Sequence, residues 1–332
     1  MTDPNASPPS TSSAPSTTAT PSPTATAAVP TVDLGPWRSG DPAARAALAA
    51  TVDEALRRAG FLLVTGHGVD PALRAGIRSA AREFFLLPAA VKEPYAARVG
   101  GRGWLRSGAE ANGGAEGTPT PPDLKESYSF ASYEPTGDPA VDAEWFLPNR
   151  WPAGAPGLRE PVETYLARMR ELSDELLGLL AVALGRDEDF FTAHTAHPTW
   201  GFNVNWYPGT EVVGEAEPGQ FRIGPHTDFG TVTVLDREAG RGGLQVFTDE
   251  EGWRDAPYDP DAFTVNIGDL MARWTDGRWC SGRHRVLPPP SDVPSEELMS
   301  LVYFYECDPG TAVAGVDSHT YLRAQLNAIA VD

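Results

Sequence analysis

The sequence predicts a mainly β protein with helical support, a double-stranded β-helix (jelly roll) carrying an N-terminal helical cap region. Three observations predict it. After residue 200, short apolar runs follow one another with Gly or Pro turns between them. Before it, helical stripes start at Asp-Pro pairs, and one long helical stretch separates the two halves. Regular short strands with turn punctuation are the pattern of a sandwich or jelly roll.

Residues 1–28 are almost entirely Ser, Thr, Pro and Ala. Such a tail buries little and is expected to stay disordered. Residues 29–332 then form a single expected domain, with a helical and strand region over 29–190 and a jelly-roll core over 200–310. Val29 to Leu34 reads as a short strand. Asp41 is placed to cap a helix with Pro42 at its first position, and Leu48, Val52 and Leu56 fall on one stripe before Gly60. Phe61 to Thr65 is a buried strand. Asp70 and Pro71 repeat the helix start, with Leu73, Ile77 and Phe84 as the stripe. Val99 to about Asp123 is rich in Gly, Pro and Thr and reads as a long loop. Lys125 to Phe130 alternates like a strand.

Glu160 to Leu184 is the longest expected helix, its stripe formed by Val162, Leu166, Met169, Leu172, Leu176 and Leu180, with Gly185 as the stop. The period then changes to that of strands: 202–207, 220–224, 231–236, 243–248, 263–267, 278–286 and 298–307. Tyr321 to Ile329 suggests a closing helix.

The chain has 332 residues, 41% of them hydrophobic, and a formal net charge of −19. Such a field repels a nucleic-acid backbone or an anionic membrane surface, so a small-molecule partner is expected. Two cysteines, Cys280 and Cys307, build no disulfide framework. With no signal-peptide pattern and no apolar stretch near ~20 residues, a cytoplasmic location is expected. Oligomeric state is not legible.

The chemistry centres on Gly224-Pro225-His226-Thr227-Asp228-Phe229-Gly230 and on Arg283-His284-Arg285-Val286. His226 and Asp228 are two residues apart, so extended backbone sends both side chains from one face. A further imidazole, with His284 the candidate, completes the two-histidine, one-carboxylate set that suits non-haem Fe(II) with open positions. His67, His194, His197 and His319 are expected to be structural or surface residues. Asp269 is expected to cap a turn, and Cys280 to be structural.

These residues and their ordered surroundings carry a resemblance. Asn205-Trp206-Tyr207-Pro208, His226-Thr227-Asp228-Phe229-Gly230, Gly243-Leu244-Gln245-Val246, Asn266-Ile267-Gly268-Asp269, Trp274-Thr275-Asp276-Gly277 and His284-Arg285-Val286 resemble the isopenicillin N synthase-like branch of the Fe(II)/2-oxoglutarate-dependent oxygenases. Gly66-His67-Gly68 and Arg102-Gly103-Trp104 resemble its cap region, and the likeness spans roughly 29–332. It implies His226, Asp228 and His284 as iron ligands, and Fe(II), 2-oxoglutarate and dioxygen as cofactors. It also implies a hydroxylation, desaturation or cyclisation of an amino acid, peptide or secondary metabolite. Asn205, Tyr207 and Ser300 match cosubstrate positions, and Phe304, Tyr128, Phe130 and Trp104 are the implied substrate-pocket candidates.

One position departs from the pattern. Where the family carries Arg-x-Ser, this chain reads Leu298-Met299-Ser300. Arginine anchors the distal carboxylate of 2-oxoglutarate there through paired charge-assisted bonds. Three readings stay open: a 2-oxoglutarate-dependent oxygenase with a substitute cation, an Fe(II) oxidase needing no 2-oxo acid, and a non-catalytic metal-binding scaffold. Arg222, Arg273, Arg278, Arg283 and Arg285 are the candidate cations.

Overall fold

The computed structural model describes residues 29–117 and 120–331. The expected disordered tail, residues 1–28, lies outside the described residues.

An eight-stranded sheet runs in the order β1 (Thr31–Asp33), β2 (Phe61–Thr65), β10 (Phe263–Ile267), β7 (Val232–Arg237), β12 (Leu298–Tyr305), β5 (Trp200–Tyr207), β4 (Glu126–Ala131) and β3 (Gly103–Leu105). A four-stranded sheet runs β6 (Ile223–His226), β11 (His284–Val286), β8 (Leu244–Thr248) and β9 (Gly252–Asp255). The two lie face to face as an open jelly roll, with a small hairpin of β13 (Ala312–Val313) and β14 (Val316–Asp317) near the C-terminus.

Side chains alternate across each strand, so every strand of the large sheet serves two layers. Phe202, Val204 and Trp206 of β5, with Met299, Leu301, Tyr303 and Tyr305 of β12, face a helical layer. That layer is α1 (Pro42–Arg58), α2 (Pro71–Phe85) and α3 (Arg159–Ala183). Val52, Leu56, Ile77 and Met169 are completely buried there, and each such side chain stabilises the fold by about 1.5–3 kcal/mol. The alternate residues face the small sheet: Phe61, Leu63, Tyr207 and Leu298 pack with Ile223, Leu244, Val246 and Val286. The inter-sheet face therefore inherits Asn205, Thr233, Arg237, Asn266 and Ser300.

The helix starts follow the local chemistry. Asp41 and Asp70 accept from the backbone N–H groups of Ala43 and Ala72, each ahead of a proline at the first helical position. The closing helix, α4 (Ser318–Ile329), begins three residues earlier than expected because Asp317 caps it through Thr320.

Some segments differ from expectation, among them the strand expected over 220–224, which runs instead over Ile223–His226. The strand expected over 278–286 shrinks to His284–Val286, because Trp279 donates its indole N–H to Asp53 at 2.8 Å and Cys280 N–H bonds the Leu56 carbonyl, both on α1. β9 is a polar edge strand with no apolar run to announce it. The long loop over 99–123 contains β3 and a short 3-10 helix, Asn112–Glu116.

Candidate active site

The strand pair β6–β11 sets His284 directly opposite His226. Asp228 follows two residues after His226, just beyond the end of β6. Its backbone is held by the next element along: Asp269 N–H donates to the Asp228 carbonyl at 2.8 Å, and Leu270 N–H to the Gly230 carbonyl at 3.1 Å. Gly268 permits this approach, since a Cβ there would lie 2.7 Å from the Asp228 carbonyl oxygen and 2.6 Å from that of Gly230.

His226, Asp228 and His284 are all buried, and their ligand atoms lie within 4.8 Å of one another. The Nε2 atoms of His226 and His284 are 3.7 and 3.9 Å from Asp228 Oδ1. Each Nδ1 faces a backbone carbonyl two residues upstream, Gly224 at 2.8 Å and Gly282 at 2.9 Å. A carbonyl only accepts, so Nδ1 carries the proton and Nε2 presents its lone pair inward. Asp228 is oriented in the same way: its Oδ2 accepts from the Thr233 hydroxyl at 2.5 Å and from the Asn266 amide at 2.7 Å, leaving Oδ1 toward the imidazoles.

The electrostatics suit a cation. Burial, reinforced by neighbouring His284, pushes the His226 imidazole down to about 3, so it is neutral at physiological pH. Burial pushes Asp228 the other way, but the two imidazoles and the bonds from Thr233 and Asn266 outweigh it and hold the carboxyl below its ordinary value. Two imidazole nitrogens and one carboxylate oxygen converging on one point form a donor set that fits Fe(II).

Two cavities meet at this triad. The smaller, about 90 Å³, runs between the sheets and is lined by Tyr207, Leu235, Arg237, Leu298, Ser300 and Val302. The larger, about 210 Å³, opens on the other side and mixes polar groups, among them Arg102, Glu110, Lys125 and Glu306, with Trp145, Trp200 and Leu322. His226, Asp228, Asn205 and Phe304 border both.

The expected cosubstrate positions come together in the smaller cavity: Tyr207 and Ser300 hydroxyls are 3.1 Å apart, and Asn205 accepts from Ser127 at 2.7 Å. Leu298 lies there too, packed beside Gly240. The substrate candidates divide. Phe304 borders both cavities. Phe130 borders the larger, but its ring packs against Tyr128, Trp151 and Phe202. Tyr128 and Trp104 line neither cavity. They sit on the helix-facing side, where Tyr128 meets Phe84 edge to face and donates to the Arg150 carbonyl, and Trp104 donates to Glu126 at 2.7 Å. The alternation of β4 instead turns Ser127 and Ser129 toward the site.

The other histidines stand apart from the triad, His194 and His197 being exposed. His67 accepts from Val69 N–H and stacks on Phe263. His319 belongs to α4 and is buried between Thr199, Ser318 and Trp145. Asp269 takes the Tyr321 hydroxyl at 2.8 Å, and both cysteines are free.

Several site groups carry no signal in the sequence pattern. Asn266 and Thr233 orient Asp228. Lys125 is buried in an ion pair with Glu110, and burial would lower its pKa but Glu110 and Asp123 raise it further. Glu306 sits beside Gly230 and accepts from Thr231 N–H at 2.8 Å. Arg237 escapes because the expected strand ends at Asp236; one more residue sets it on the face of Thr233 and Leu235.

Residues 29–154 match the family model described as non-haem dioxygenase in morphine synthesis N-terminal, and residues 200–306 that of the 2OG-Fe(II) oxygenase superfamily. The chain is 46% identical over 283 residues to validamycin A dioxygenase of Streptomyces hygroscopicus subsp. limoneus, covering 85% of this chain and 78% of that one. It is 32% identical over 278 residues to a homoarginine-6-hydroxylase of Glycine max, covering 81% and 80%. Among solved structures, a full-length Neurospora crassa protein in complex with alpha-KG and thymine superposes with a TM-score of 0.77 at 26% identity, over 90% of this chain and 96% of that one. No helix among the described residues is long and apolar enough to cross a membrane. The chain belongs to the Fe(II)/2-oxoglutarate-dependent oxygenase superfamily, an oxidoreductase that uses Fe(II), 2-oxoglutarate and dioxygen on a small molecule.

Proposed function

We propose that the chain hydroxylates validamycin A or a similarly polar small molecule, bound in the larger cavity. The observation that carries this reading is the 46% identity to validamycin A dioxygenase across 85% of the chain. The lining supports it: Arg102, Glu110, Lys125 and the Glu306 carboxyl offer hydrogen-bonding groups around a wall of Trp145 and Trp200. A few placed polar groups in an otherwise apolar cleft fix a ligand's orientation.

In this reading His226 and His284 would hold iron through Nε2 and Asp228 through Oδ1. Once bound there, iron and 2-oxoglutarate would supply the oxidation by dioxygen, with succinate and carbon dioxide as the products of the 2-oxo acid. The protein's residues do the rest. Gly224 and Gly282 carbonyls keep the imidazole protons on Nδ1, and Thr233 and Asn266 keep Asp228 aimed inward. Leu235, Val302 and Leu298 exclude water from the smaller cavity, and Phe304 forms the boundary between cosubstrate and substrate. Such positioning and shielding is the protein's share of a cofactor reaction.

The test supplies Fe(II), 2-oxoglutarate and dioxygen with validamycin A, homoarginine or thymine, and measures succinate and product mass. Validamycin A should raise succinate about tenfold over the substrate-free rate, a coupling worth about 1.4 kcal/mol in the barrier, and yield a product one oxygen heavier. Succinate formation indifferent to validamycin A, or stimulated instead by homoarginine, would overturn the reading.

A further inference from the structure

The smaller cavity is a ladder of paired positions on β7 and β12. Thr233 lies opposite Phe304, Leu235 opposite Val302, and Arg237 opposite Ser300. Directly opposed residues of antiparallel strands point to the same face, and all six line this cavity. Thr233 touches Asp228, so that rung marks the metal end. Arg237, four residues on, lies roughly 13 Å further along the strand and marks the distal end. The row continues across β12 to β5, where Ser300 faces Asn205 and Leu298 faces Tyr207.

Arg237 is a partly buried cation without a carboxylate partner among the described residues. Its Nη2 donates to the carbonyls of Ala256 at 3.0 Å and Pro257 at 2.5 Å, and it lies over the Tyr258 ring. Its Nε is buried without an acceptor. Among the described residues no carboxylate pairs with it, whereas Arg74 and Arg78 share Asp236, and Arg222 holds Glu296. Glu238, at the same end of the cavity, accepts from Met299 N–H instead. Burial pulls the Arg237 pKa below its ordinary value, the mark of a charge lacking compensation. A desolvated charge of this kind is costly unless a counter-ion arrives.

The sequence candidates are committed elsewhere. Arg222 is bound to Glu296 and the Gly242 carbonyl, Arg278 to Asp53, Arg285 to Gln245, and Arg273 lies over Tyr321. Arg283 lies over Phe247 and Trp253. None of these five lines the smaller cavity, and Arg102 lines the other one.

We infer that Arg237, reaching from the strand beside Ser300, receives the distal carboxylate of 2-oxoglutarate, replacing the arginine that Leu298 has displaced. Ser300 and Tyr207 add hydroxyls at the same end. The cation has moved one strand sideways while the serine stayed in place.

The experiment measures binding without turnover: calorimetric titration of the Mn(II)-loaded protein with 2-oxoglutarate and with 2-oxobutyrate, which has the chelating end but no distal carboxylate. Arg237→Leu should weaken 2-oxoglutarate about 30- to 100-fold, as expected for losing one partner of a buried charged pair, and leave 2-oxobutyrate unchanged. Adding Leu298→Arg to Arg237→Leu should restore at least about tenfold of the preference, because the ordinary position then regains its fork. An Arg237→Leu protein that still prefers 2-oxoglutarate as the wild type does would overturn the inference. Should that variant lose both ligands, Arg237→Gln decides: it keeps a polar side chain of similar reach without the charge, and an undiminished preference for 2-oxoglutarate would refute the assignment. The inference rests on the proposed metal ligands but not on the substrate. Failure of the metal assignment would show as no 2-oxobutyrate binding in the wild type, whereas failure of validamycin A as substrate would leave these titrations unchanged.

Discussion

Asn266 donates its side-chain N–H to Asp228 Oδ2 at 2.7 Å, so one oxygen of the carboxylate is tied to β10 while the other faces His226 and His284. Asn266→Ala removes that tie and leaves Thr233 as the remaining side-chain donor. Partners that orient a ligand typically contribute about 10- to 100-fold in metal affinity. Chelator competition should therefore show Fe(II) or Mn(II) binding weakened by about tenfold or more. Unchanged affinity would mean that Thr233 and the backbone orient Asp228 without Asn266.

Removing a ligand goes further. His284→Ala leaves one imidazole and one carboxylate, and succinate formation should fall about 100-fold or more, at or beyond the upper end of what loss of an orienting partner costs. Chelator-stripped wild type should behave likewise and recover on adding Fe(II), while the variant should not. Recovery of the variant with Fe(II) would remove His284 from the metal site.

Gly230 and Glu306 constrain each other. A Cβ on Gly230 would fall 1.6 Å from Glu306 Oε1, and the carboxyl cannot easily retreat because it is buried and holds Thr231 N–H. Gly230→Ala should destabilise the fold by about 1–3 kcal/mol, the usual cost of overpacking. In a Glu306→Ala background the clash disappears, so denaturant melts of the double variant should show a loss at least about 0.5 kcal/mol smaller than the sum of the singles. Additive losses would show that Gly230 is required for another reason.

What the sequence made legible follows the range of the interactions. Asp41-Pro42 and Asp70-Pro71 act within one helical turn, and both helices begin where those residues stand. Phe263–Ile267 is bounded by its own turn residues and forms the strand expected. His226-Thr227-Asp228 was readable because its spacing is local, while His284 needed a resemblance to join it. Trp104 and Tyr128 were misplaced because strand parity says only that alternate residues share a face. Which face meets the helices is settled by Phe84, Glu126 and Trp206, from other parts of the chain. Arg237 was invisible for a related reason. Its importance lies in standing opposite Ser300, a pairing between residues 63 positions apart.

His319 supplies a pH dependence that can be separated from the metal chemistry. It is buried against Trp145, with its ring nitrogens at 2.8 Å from the Thr199 and Ser318 hydroxyls, and Asp317 and Arg323 are the nearby charges. Burial dominates and pushes its pKa from 6.5 down to about 4, so the folded protein keeps it neutral. In the unfolded chain the imidazole takes up a proton as pH falls through 6.5. The unfolded state then binds more protons than the folded one, and stability rises with pH across this window. The contribution is fully present above 6.5 and is lost progressively as pH falls toward about 4, at a ceiling of roughly 3 kcal/mol. His319→Gln keeps hydrogen-bonding capacity but does not titrate. Urea unfolding at pH 7 and pH 4.5 should show a smaller acid-induced loss in the variant than in the wild type, by about 2 kcal/mol. Equal losses in the two proteins would mean that the acid sensitivity of the fold arises at other groups.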